Sequence, residues 1–180
     1  MLESALAAGI ASQGCDAYLV GFCPTPCVCH LTVKEDFACG AMISASHNPY
    51  YDNGIKVFSK EGIKLQGEVE ELIEDYLDGK VNIPYASDAA IGRVVSYQQG
   101  LENYLDWLVE EYPLDLSGMK IAMDCANGSS SYTAERTLKR LGADVTVFHA
   151  SPDGVNINNH CGSTHPEEFI AFMKEHEGEY

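Results

Sequence analysis

A chain of 180 residues with 46% hydrophobic and only 21% charged residues suits a globular core and argues against a disordered segment. Its 27 acidic residues outweigh 11 basic ones, a formal net charge of −16, which disfavours nucleic acid and anionic membrane surfaces as partners. No apolar run approaches the roughly 20 residues of a membrane span, and the N-terminus lacks the basic and apolar regions of a secretory leader.

In chain order, Leu2, Ala5, Leu6 and Ile10 form the apolar stripe of a first helix, which Gly14 stops. No cap residue stands ahead of that helix and no strand precedes it, an uncommon opening for an α/β domain. Ala17–Val20 reads as a strand. Thr25-Pro26 reads as the cap and first position of a helix running to about Lys34. Cys39–Ile43 is an apolar run of strand length. The alternation of helix and strand predicts a parallel sheet.

Cys23, Cys27, Cys29 and His30 have a superficial metal-site look, but no spaced second ligand pair follows them. Packed thiols on a helix are the better reading. Seven cysteines, an odd number with no secretory leader, fit reduced thiols in a cytosol.

The strand at Cys39–Ile43 ends in Ser44-Ala45-Ser46-His47-Asn48-Pro49. Two hydroxyls, an imidazole and a carboxamide thus meet a proline that prevents further sheet pairing. Asn53-Gly54 signals a turn, since both residues tolerate positive φ, and Lys56 lies just inside the next strand, Ile55–Phe58. An open α/β sheet places its chemistry at such a strand end. Lys56, Lys60 and Lys64 fall within nine residues, which gives an otherwise acidic chain a local cationic segment.

Beyond the loop, Ile55–Phe58 and Ile63–Leu65 are expected to form a hairpin. Gly67–Leu77 is expected as an amphipathic helix with Val69, Leu72, Ile73 and Tyr76 inward. A strand at Ile91–Val95 and a helix at Gln98–Tyr112 follow. Pro113–Gly118 reads as a linker. A second α/β unit comes next, with strand Lys120–Asp124, helix Ser131–Leu141 and strand Asp144–Phe148. Asp124 with Asn127-Gly128 lacks the glycine pattern or lysine of a phosphate cradle and reads as a strand-to-helix turn. Pro166 opens a last helix, with Thr164 as its expected cap.

Ser-Ala-Ser-His-Asn-Pro followed by Asn-Gly-Ile-Lys resembles the phosphoserine loop of the α-D-phosphohexomutases. The Ile43-Ser44 lead-in and Cys161-Gly162-Ser163-Thr164-His165-Pro166-Glu167 look most like the phosphoglucosamine mutase branch. The resemblance implies that Ser46 is the phosphoserine and that Mg2+ binds through its phosphate, with aspartate ligands from a later domain. It implies His47 and Lys56 as groups near the reacting hydroxyl, Asn48 as an orienting residue and Ser44 as a weaker phosphate contact. The implied substrate is a sugar phosphate and the implied setting the cytoplasm, in amino-sugar supply for UDP-N-acetylglucosamine and peptidoglycan precursors.

The fold expected is α/β, with mixed, mostly parallel sheets and flanking helices in two successive units, both incomplete. Residues 1–112 would belong to domain I, lacking its N-terminus, and residues 113–180 to domain II, lacking its C-terminus. The family's arginine-containing, metal-binding, sugar-specificity and terminal phosphate-binding loops have no counterpart in these residues, so little turnover is expected of them alone. Phosphomannomutase or phosphoglucomutase activity is the near alternative, and a non-catalytic fragment a further one. A serine hydrolase fits poorly: there is no G-x-S-x-G elbow, and neighbouring Ser46 and His47 would project oppositely in an extended segment.

Overall fold

The computed structural model describes residues 1–180, six strands and six α-helices, in two compact units that interleave along the chain. The first unit comprises Met1–Gly21, Val28–Ile43 and Ile55–Gly100; the second comprises Phe22–Cys27, Ser44–Gly54 and Leu101–Tyr180.

In the first unit, α1 (Leu2–Ser12) buries Ala7 and Ala11. Gly14, at φ +87°, then turns the chain into β1 (Ala17–Leu19), a conformation glycine adopts without a Cβ penalty. The partner of β1 is β4 (Val94–Ser96), in parallel, with Ala17 opposite Val94 and Leu19 opposite Ser96. Helix–strand alternation predicts parallel pairing but not this partner, which comes from 77 residues further along. Gly92 permits the junction: a Cβ there would run into the backbone of Cys15.

The same junction is tied by charge. Asp16 accepts hydrogen bonds from the Arg93 backbone N–H at 2.8 Å and from its guanidinium Nη2 at 2.6 Å. These Arg93 contacts hold the Asp16 carboxyl below its ordinary value. A depressed carboxylate stabilises the fold above its unfolded pKa, about 4, and loses that contribution as pH falls through the folded value. Asp16→Asn is therefore expected to lower the urea midpoint at pH 6, with the difference from wild type shrinking below about pH 4. A difference that stays constant down to pH 2.5 would contradict this.

Most of α2 (Thr25–Lys34) also lies in this unit and buries Leu31 and Thr32. The strands β2 (Cys39–Ser44) and β3 (Gly54–Ser59) pair with each other. The expected hairpin beyond β3 forms: the Ser59 N–H donates to the Ile63 carbonyl and Leu65 N–H to Val57, both at 2.8 Å. One expectation is corrected. The stripe on α3 (Glu68–Leu77) does not point inward, since Val69, Leu72, Ile73 and Tyr76 are all exposed. Amphipathic spacing makes an apolar face, but only another element can bury it.

Most of α4 (Gln99–Glu111) lies in the second unit and buries Tyr104 and Leu105. The parallel pair β5 (Lys120–Asp124) and β6 (Asp144–Phe148) has Lys120 opposite Asp144 and Asp124 opposite Phe148. Between them the chain makes a 3-10 turn at Ser129–Tyr132 before α5 (Ala134–Arg140), so the helix starts later than the expected Ser131. The last helix, α6, spans Glu167–Glu175. Thr164 does not cap it: Thr164 belongs to a 3-10 turn at Gly162–Thr164, and Pro166 takes the cap position without a side-chain bond. The observed class is mixed α/β with small parallel sheets and flanking helices.

Candidate active-site loop

The segment 44–53 leaves β2 as two consecutive turns. Asn48 N–H donates to the Ala45 carbonyl and Asp52 N–H to the Pro49 carbonyl, each at 3.0 Å. Ala45 is buried and anchors the loop, while Ser46 and His47 are exposed. Ser46 has φ +58°, the left-handed region that non-glycine residues seldom occupy. Such a backbone persists only where its surroundings hold it, and it is a feature common to functional sites.

Both peptide groups of Ser46 are held. Its N–H donates to Ser44 Oγ at 2.9 Å. Its carbonyl accepts from Asn158 Nδ2 at 3.1 Å, and the same amide nitrogen donates to the Asn48 carbonyl at 2.8 Å. The backbone is thereby pinned and the Ser46 hydroxyl is left at the surface. Asn53 closes the loop by donating from Nδ2 to the Tyr50 carbonyl at 2.6 Å.

Of the residues singled out by sequence, Ser44, Ser46, His47 and Asn48 come together in this loop. Ser44 acts on the Ser46 backbone, a role different from the phosphate contact implied by resemblance. Lys56 lies in β3, half-buried, within the first unit. Lys60 stands 3.9 Å from Glu61 and Lys64 3.8 Å from Glu70, so nearby carboxylates offset two of the three clustered cations. Lys56 is the one without an ion pair.

Asn158 is the residue that sequence reasoning missed. It sits in a run of asparagines after Gly154, and its only signal is that Asn tolerates positive φ; its φ is +57°. The Asn158 N–H donates to the Ala126 carbonyl at 2.9 Å. Ala126 and Asn127 are themselves left-handed, at φ +52° and +48°. Asp124 fixes this bend by accepting from Ala126 N–H and Gly162 N–H, both at 2.8 Å. Its carboxylate is thus occupied by backbone, which suits the strand-to-helix turn read from the sequence. His149 Nδ1 lies 3.1 Å from Asp124 Oδ1, but the ring is angled so that no hydrogen bond forms.

Cys161 is buried next to this bend, and burial pushes its thiol up from the ordinary value. A protonated, enclosed thiol packs and does not attack. The Cys23–Cys27 pair is buried on the same terms: the thiol–thiol hydrogen bond, then burial, raises Cys27.

Residues 1–82 match the family described as phosphoglucomutase/phosphomannomutase, alpha/beta/alpha domain I. Phosphoglucosamine mutase of Lachnoclostridium phytofermentans is 47% identical over 176 residues, covering 97% of this chain and 39% of that protein. The phosphoglucosamine mutase of Clostridium novyi is 44% identical over 174 residues, covering 96% and 39%. The chain therefore spans about two fifths of the length of the curated relatives it matches. A phosphoglucomutase/phosphomannomutase family protein of Burkholderia thailandensis superposes with a TM-score of 0.76 at 24% identity, covering 97% of this chain and 38% of that one. At that identity the likeness speaks for the fold. The sequence matches bear out the resemblance drawn from the serine loop and from residues 161–167.

Proposed function

We propose that this chain is a member of the α-D-phosphohexomutase family and supplies the phosphoserine loop of a phosphoglucosamine mutase acting in the cytoplasm on glucosamine phosphates. The observation that carries the reading is Ser46, an exposed hydroxyl at a strand end whose strained backbone is held on both sides. Residues 1–112 are proposed as domain I and residues 113–180 as part of domain II.

In the proposed reaction, a sugar hydroxyl attacks the phosphorus carried on Ser46 Oγ. The P–O bond to Ser46 breaks, the serine oxygen takes the electron pair, and the sugar becomes a bisphosphate. The reverse transfer from the other sugar oxygen restores phosphoserine and releases the isomer, so atoms and charge balance over the cycle. His47, exposed in the same turn, is suited to move the hydroxyl proton. Lys56 would offset charge on the transferring group. A phosphoserine carries about −1.5 to −2 charges, which the acidic chain must offset locally.

Mg2+ suits this site through the phosphate on Ser46, an oxygen donor of the kind that ion takes. The chain itself gathers no cluster of three carboxylate, imidazole or thiolate groups, so the other ligands would come from elsewhere. When bound, the ion would neutralise phosphate charge.

The test is a hybrid enzyme in which this chain replaces the matching segment of the Clostridium novyi relative. The hybrid is expected to interconvert glucosamine 6-phosphate and glucosamine 1-phosphate, and the 180 residues alone to give no turnover. A folded hybrid that does not interconvert the glucosamine phosphates would overturn the assignment of this chain as the phosphoserine segment of such a mutase.

A further inference from the structure

Two backbone carbonyls of the serine loop, those of Ser46 and Asn48, converge on one amide nitrogen 110 or more residues away in sequence, Asn158 Nδ2. Only a donor can serve two carbonyl oxygens, which fixes the orientation of that side-chain amide. The donor is itself held: the Asn158 N–H bonds the Ala126 carbonyl, and Asp124 locks the bend that presents this carbonyl. All of these residues lie in the second unit. Ser44 Oγ secures the Ser46 N–H from within the loop, but nothing in the loop secures the Ser46 carbonyl.

We propose that Asn158 is a positioning residue: by binding the Ser46 and Asn48 carbonyls it holds Ser46 left-handed and aims its hydroxyl. This rests on the reading of Ser46 as phosphate carrier. The left-handed conformation is disfavoured for serine by about 1–2 kcal/mol, so without the Asn158 amide the loop relaxes and the hydroxyl moves. A displacement of about 1 Å at a reacting group costs on the order of 100-fold in rate.

The decisive variants are Asn158→Gly, which removes the amide yet accepts φ +57° without strain, and Asn158→Asp, which swaps the donor for an acceptor. In the 180-residue chain, Asn158→Gly is expected to speed hydrogen exchange of the Ser46 and Asn48 amides about tenfold or more, leaving β5 and β6 amides protected. In the hybrid enzyme it should lower kcat by about 10- to 100-fold at nearly constant KM. Asn158→Asp should recover relative to wild type as pH falls, because a protonated carboxyl can donate to one carbonyl again. A packing role alone would not produce that pH dependence.

Unchanged loop exchange, or loosened exchange with unchanged kcat, would overturn the proposal. Ser46→Gly in the same hybrid separates the two readings. Turnover that survives it removes the phosphoserine assignment, whereas Ser46-dependent turnover indifferent to Asn158 removes only the positioning role.

Discussion

Ser46→Ala is expected to reduce glucosamine-phosphate turnover by the hybrid enzyme by about a thousandfold or more, since the group lost is the covalent carrier itself. Alanine keeps the Cβ that disfavours φ +58° but loses any local support from the hydroxyl, so Ser46→Gly is the companion variant: it accepts the turn and removes the hydroxyl. Both should be equally inactive, and phosphopeptide mapping of the wild-type hybrid should find phosphate on Ser46. Phosphate on Ser44, or turnover retained by Ser46→Gly, would contradict the assignment. Ser44→Ala should have a smaller effect, because Ser44 accepts a backbone N–H and leaves the Ser46 oxygen in place.

Leu105→Ala is expected to cost about 2–5 kcal/mol of stability, the range for a leucine truncated in a packed core. Leu105 is 0% exposed, beside Tyr104 at 5%. The ion pairs along the same helix are more conspicuous: Arg136 to Glu102 and Arg140 to Asp106, each at 2.6 Å. Each is solvent-exposed on one or both sides, and such pairs are worth about 0–1 kcal/mol. Apolar burial therefore dominates the anchoring of α4. Urea melts should show the midpoint falling by about 1–2 M for Leu105→Ala, against a change of within about 0.5 kcal/mol for Leu114→Ala, which is 60% exposed. Equal effects would show that α4 is not held by this contact.

Local chemistry was enough to read much of this protein from its residues. Strands at 120–124 and 144–148 follow from β-branched and apolar runs between glycine and polar breaks. Gly14 and Gly142 end helices because positive φ is easy for glycine. The serine loop was legible only in part: Pro49 ends sheet pairing as expected, but the turns that form are 45–48 and 49–52, and Asn53-Gly54 makes no positive-φ turn because Gly54 already opens β3.

Tertiary structure decided what depends on distant partners. The pairing of β1 with β4 rests on residues 77 positions apart and on the Asp16–Arg93 contact, which no local pattern encodes. The exposure of Leu72 and Ile73 on α3 was likewise undetermined, because a stripe specifies a face and not its cover. Asn158 is the clearest case. Asparagine in a polar run looks like any turn residue. Its role comes from two carbonyls contributed by a turn over a hundred residues earlier, and hydrogen-bond geometry across that separation exists only once the chain has folded.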